Sequence, residues 1–124
     1  MIAADTSSLV AYFAGEAGGD VDLVESALAD GRLCISPIAV TELLSDFKAR
    51  DVLEPIVLDW PVLAITPGYW VRASKTRAQI LARRRRAKLP DTFIAQSAID
   101  YDVALITRDP DFEHFAKYCG LKLA

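Results

Sequence analysis

Histidine is almost absent from this chain of 124 residues, which has one. Chemistry by a histidine pair and an HExxH metal site are therefore excluded, and the single His114 sits in Phe112-Glu113-His114-Phe115 as an ordinary helix residue. Only two cysteines occur, Cys34 and Cys119, each alone among apolar neighbours. That setting points to free buried thiols rather than a disulfide or a zinc site. No apolar run approaches the ~20 residues that cross a bilayer, and Asp5 interrupts the first apolar stretch too early for a signal peptide. The expectation is a cytoplasmic protein with no membrane partner, whose catalysis, if any, rests on carboxylates.

What is present describes a globular α/β protein. Hydrophobic residues make up 52% of the chain and charged residues 25%, which excludes disorder. The length suits one domain, 1–124, burying roughly two-thirds of the surface its unfolded form exposes. Short apolar runs alternate with longer helical stretches, the pattern of βα units and a mostly parallel sheet of four to five strands. Strands are expected at Ile2-Ala3-Ala4, Leu33-Cys34-Ile35, Val62-Leu63-Ala64-Ile65 and Ala104-Leu105-Ile106, with Leu121-Lys122-Leu123 as a last edge.

Between them the helices announce their ends. Gly15 to Gly19 is a break, and a helix from about Asp20 to Asp30 stops at Gly31, with Val21, Val24 and Leu28 inward. Ser36-Pro37 pairs a capping serine with proline at the first helical position, and this helix is expected to reach about Arg50. Val40, Leu43, Leu44 and Phe47 form its core stripe, which turns Glu42 outward; on spacing alone Glu42 belongs to a solvated face. A short helix or turn covers Val52 to Trp60, and a long helix is expected from Tyr69 to about Lys88. That segment carries Arg72, Lys75, Arg77, Arg83, Arg84, Arg85, Arg86 and Lys88 without one acid, although the chain is net −3. The next helix opens at Leu89-Pro90-Asp91 and runs to about Tyr101, with Asp91 in line with Ile94, Ala95 and Ala98.

Acids then stand out at Asp5 after the first strand, Glu42, Asp91, and Asp109 with Asp111 after the strand at 104–106. Each alone is explained by capping or solvation. Several lie, however, at the edge where parallel sheets place ligands, and carboxylates gathered there raise one another's pKa unless a cation joins them. Magnesium or manganese, which prefer oxygen ligands, would remove that conflict.

These residues carry a resemblance. Ala4-Asp5-Thr6-Ser7, the stretch Pro37 to Leu44 with Thr41-Glu42-Leu43-Leu44, Leu89-Pro90-Asp91 with Ile94-Ala95, and Leu105-Ile106-Thr107-Arg108-Asp109 with Asp111-Phe112 occur in the order of the PIN-domain ribonucleases. The chain most resembles their VapC-type toxins, over essentially its whole length. The resemblance implies a PIN-like fold and a Mg²⁺- or Mn²⁺-dependent endoribonuclease that uses metal-activated water. It implies metal-binding and catalytic acids at Asp5, Glu42, Asp91 and Asp109, hydroxyl support from Thr6, Ser7 and Thr107, and Asp111 as a further outer ligand. A VapB-like antitoxin covering the acidic cleft and a homodimer are implied as well, with Trp60, Tyr69 or Trp70 as exposed contacts. Gln96 and Ser97 stand in a helix that is more alanine-rich in relatives.

Two other functions fit these residues less well. A phospho-accepting receiver domain wants paired acids after the first strand, an aspartate ending the third and a lysine after the last; here Ala4 precedes Asp5, Thr66 ends the third, and no lysine follows Thr107. A PIN relative that binds RNA or a partner without cutting is opposed by the presence of all the acids. Arg83, Arg84, Arg85, Arg86 and Lys88 are expected to bind RNA phosphates, against the alternative of a solvated helix face.

Overall fold

The computed structural model describes residues 1–124. Its sheet is parallel, with β1 (Ile2–Ala4) in the middle, β2 (Leu33–Cys34) on one side and β3 (Ala104–Ile106) on the other. Ala3 lies opposite both Cys34 and Leu105, so the register places the carboxyl ends of all three strands together. Two isolated parallel bridges extend this pattern, Ile35 with Val62 and Leu105 with Leu123. The expected strands at 62–65 and 121–123 thus shrink to single bridges, because neither segment runs alongside its neighbour for more than one residue pair.

Seven helices flank the sheet: α1 (Thr6–Phe13), α2 (Gly19–Ala29), α3 (Pro37–Leu44), α4 (Arg50–Val57), α5 (Tyr69–Leu81), α6 (Leu89–Asp100) and α7 (Phe112–Cys119). Local chemistry sets their starts. Asp5 caps α1 by accepting from the Ser8 N–H at 3.1 Å, and Ser36 caps α3 by accepting from the Ile38 N–H at 3.2 Å, with Pro37 next in line. The core joins strand residues Ala3, Ala4, Cys34, Leu105 and Ile106 and the bridge residue Ile35 to Leu9, Val24, Ile94, Ala95, Phe112 and Phe115 from the helices. The chain leaves β1 for β2 on one side and crosses back past β1 to β3 on the other, so the strand order reverses at β1 and its carboxyl end lies at a topological switch point, where open α/β sheets bind ligands.

Several expectations fail at helix ends. α3 stops at Leu44 rather than near Arg50, which takes Phe47 off the i+7 position and leaves it 85% exposed. α5 stops at Leu81 rather than Lys88, where Arg84 adopts a left-handed φ of 57° and turns the chain. The residues Arg83–Arg86 are therefore a loop, not the last turns of a helix. Tyr69, expected as an exposed contact, is 1% exposed, with its hydroxyl donating to the Phe93 carbonyl at 2.6 Å and meeting Ser97 Oγ at 3.1 Å. Trp60 is half-buried and stacks on Phe13, while Trp70 is 57% exposed. Gln96 and Ser97 have a structural reason for being polar: Thr76 donates to Gln96, Gln96 donates to Asp100, and Ser97 meets Tyr69 in a hydrogen-bonded seam between α5 and α6.

Candidate active site

Asp5 follows the last residue of β1, and its backbone N–H donates to the Ile106 carbonyl at 3.0 Å, prolonging the pairing with β3. Its carboxylate is buried yet well supplied with donors: Ser7 Oγ at 2.9 and 3.0 Å, the Ser8 N–H, and Thr107 Oγ1 at 2.8 Å. Burial outweighs these donors, and with the Asp109 charge it raises the Asp5 pKa above the usual carboxylate value. Thr107, at the carboxyl end of β3, works twice. Its hydroxyl donates to Asp5 and accepts from the Asp109 N–H at 3.0 Å, tying the two acids to one side chain.

Asp91 stands in the first turn of α6, after Leu89 and Pro90. It is pushed up to about 6 by burial first and then by the charge of Asp109, with Asp5 and Glu42 adding to the effect and Lys88 opposing it. Its Oδ2 is buried and has no hydrogen-bond partner. An orphaned buried carboxylate oxygen is costly, and such an atom calls for an explanation. Asp91, Asp109 and Asp111 each bring an oxygen within 4.8 Å of the others. Asp109 Oδ1 accepts from the Asp111 N–H at 2.9 Å, and Asp111 Oδ2 lies 3.8 Å from Arg86 Nη1.

Glu42 is exposed on α3, as its spacing implied, and its Oε1 accepts from Thr6 Oγ1 at 2.7 Å. Its charge is felt at Asp91, so the exposed face is the one turned toward the acids. Thr6, Ser7 and Thr107 each hold a carboxylate. An all-oxygen donor set with one unpartnered buried oxygen fits a hard divalent cation such as Mg²⁺ or Mn²⁺.

Two features escaped sequence reasoning. Arg108, between Thr107 and Asp109, turns to the other side and binds Asp20 through Nε at 2.8 Å and Nη2 at 3.1 Å, with Glu16 3.1 Å from Nη1. The basic segment is also less free of partners than its own composition suggested, since Arg72 meets Asp100 at 2.7 Å and Arg86 meets Asp111. Those acids come from 28 and 25 residues further on, so no local pattern could show the pairs.

The family model described as the PIN domain matches residues 2–118. The chain is similar in structure to VapBC2 from Rickettsia felis bound to a DNA fragment from their promoter, with a TM-score of 0.76 and 19% identity over 100% of this chain and 98% of that one. It is also similar to FitAcB from Neisseria gonorrhoeae, with a TM-score of 0.75 and 18% identity over 99% of this chain and 96% of that one. A toxin–antitoxin complex from Klebsiella pneumoniae gives a TM-score of 0.68 and 21% identity over 98% and 95% of the two chains. At these identities the likeness is one of fold. No curated protein is significantly similar to the chain.

Proposed function

The chain belongs to the PIN domain family, and from that premise we propose that it is the toxin of a toxin–antitoxin pair, a Mg²⁺- or Mn²⁺-dependent endoribonuclease. The observation that carries this reading is the unpartnered Asp91 Oδ2 beside Asp109 and Asp111 at the carboxyl edge of the sheet. Asp91 and Asp109 would hold the ion together with Asp5, and Asp111, whose oxygen lies within 4.8 Å of those of Asp91 and Asp109, would join them, with Glu42 on the open side. When bound, the ion supplies Lewis acidity, making water a better nucleophile and offsetting charge that grows on the phosphate.

The chain's own residues do the positioning. Ser7, the Ser8 N–H and Thr107 fix the Asp5 carboxylate, and the Asp111 N–H fixes Asp109. Thr6 takes one oxygen of Glu42 and leaves the other to orient water. In the hydrolysis a water oxygen bonds to phosphorus and one P–O ester bond breaks; one of the water's hydrogens ends on the departing oxygen and the other stays with the oxygen added to phosphorus. Without a cation the acids would repel RNA, so the residues Arg83–Arg86 and Lys88 are assigned to its phosphates.

An antitoxin partner is supported by the similar fold, one example of which is a toxin–antitoxin complex. Occupation of the acidic cleft by a VapB-like antitoxin, a homodimer using Trp70, and a cytoplasmic location complete the proposal, with residues 1–124 acting as one PIN unit. The test is RNA cleavage by purified protein with Mg²⁺ or Mn²⁺, with chelator, and with Asp5→Asn. Cleavage is expected only in the metal-containing wild-type reactions; equal cleavage by chelated protein or by Asp5→Asn would refute the metal-nuclease reading.

A further inference from the structure

The four consecutive arginines do not form one surface. Arg83 lies over the Tyr118 ring, its guanidinium carbon 4.3 Å from the centroid. Desolvation acts to raise the Tyr118 pKa, but the charges of Lys117 and Arg85 hold the hydroxyl below its ordinary value. Arg84 closes α5: its N–H donates to the Leu81 carbonyl at 2.9 Å and the Arg85 N–H to the Ile80 carbonyl at 3.3 Å. This is a Schellman turn, in which glycine normally takes the left-handed position that Arg84 occupies at φ 57°. Arg86 has a different partner, with Nη1 3.8 Å from Asp111 Oδ2 at the rim of the cluster that contains Asp91 and Asp109.

We propose, resting on the nuclease reading above, that Arg86 is the side chain that grips the phosphate being hydrolysed, leaving Asp111 when RNA and a divalent ion occupy the cluster. The Arg86–Asp111 pair suits exchange, because it is long and the arginine side chain is 67% exposed, and such pairs are weak. A guanidinium offers two parallel N–H donors to phosphate oxygens, a stronger and more directional contact than its present one. A phosphate lying against Asp91 and Asp109 falls within an arginine's reach. Charge accumulates on the phosphate oxygens as the new bond forms, so the contact strengthens toward the transition state and its loss falls on kcat. In the absence of RNA the same guanidinium is a resident positive charge that competes with the metal.

The experiment compares wild type, Arg86→Gln, Arg86→Lys and Arg83→Gln in full-length protein. One RNA oligonucleotide is cut in Mn²⁺, and Mn²⁺ binding is followed separately by electron paramagnetic resonance. Arg86→Gln is expected to lower kcat by about tenfold or more with little change in KM, and Arg86→Lys to recover part of the loss. Arg83→Gln should act mainly on KM. Arg86→Gln should also bind Mn²⁺ about 3- to 10-fold more tightly, having lost a positive charge beside the acids. A kcat equal to wild type overturns the inference alone, provided the wild type cuts RNA. Lower kcat with weaker Mn²⁺ binding overturns it too, since Arg86 would then be supporting the acids. A wild type that cuts no RNA in Mn²⁺ removes the nuclease reading and this inference with it.

Discussion

Asp20 and Asp91 occupy the same local position, the first turn of a helix, yet they are driven in opposite directions. Asp20 accepts two hydrogen bonds from Arg108 and one from Ser8 Oγ, and the arginine bonds hold its pKa down at about 2. Asp91 has burial, no partner for Oδ2, and Asp109, Asp5 and Glu42 nearby, and it rises to about 6. Both helix starts favour negative charge to a similar degree, so the helix dipole does not separate them. The difference lies in where the neighbouring cations go. Arg108 sits one residue before Asp109 but serves Asp20 and Glu16, which completes one cluster of acids and leaves the other open. An acid with its own arginine is structural; an acid deprived of one is ready for a cation from solution.

The largest effect should come from removing the deprived acid. Asp91→Asn is expected to lower RNA cleavage by about 100-fold or more, while the chelated protein becomes more stable near neutral pH. The second half follows from linkage. Because the folded-state pKa of Asp91 lies above its unfolded value, the folded protein binds the proton more readily, so stability from this group is present below about pH 4 and is lost as pH rises through about 6. Asparagine removes that loss. Urea melts in chelator should show the variant's advantage growing from pH 4 to pH 7, and a variant that is less stable than wild type at pH 7 would break the contrast with Asp20.

An intermediate effect is expected from robbing Asp20 of its partner. Arg108→Gln should lower stability, measured by urea unfolding at pH 7, because Asp20 and Glu16 are left to repel each other. For Asp20 the sign is the reverse of Asp91: its lowered pKa gives stability above about pH 4 that disappears as pH falls through about 2. The difference between wild type and Arg108→Gln should therefore shrink on acidification. A difference that stays constant down to pH 2 would mean that the ion pair is not what Arg108 contributes.

The smallest effect belongs to a position outside both clusters. Arg84→Gly relieves a left-handed residue and should stabilise the fold by about 0.5–1 kcal/mol. Destabilisation in the melt would show instead that the Arg84 side chain holds the loop in place.

Much of this arrangement was legible in the residues. Ile2-Ala3-Ala4 before Asp5, Ser36-Pro37 at a helix start and Gly31 after a helix are local signals, decided by capping, backbone freedom and apolar patterning over a few positions. The placement of the acids at strand ends and helix starts followed from the same signals. Helix ends were less legible. α5 stops among good helix formers, where Arg84 turns the chain at a left-handed φ, and α3 stops before Ser45 and Asp46, which are poor ones. Phe47 was misplaced for that reason, and Tyr69 because an aromatic with a hydroxyl can be buried when Phe93 and Ser97 take its hydrogen bonds.

The sequence by itself determined the alternation of strands and helices, the kinds of chemistry excluded by a lone histidine and two isolated cysteines, and the acids available to work. Tertiary structure alone decided which acids keep a cation. Arg108 reaches back 88 residues to Asp20, Arg86 faces Asp111, and Asp91 Oδ2 faces no donor at all. Charge pairing acts over a few ångströms of space and is indifferent to distance along the chain, so only the packed sheet edge could sort one set of carboxylates into paired and unpaired.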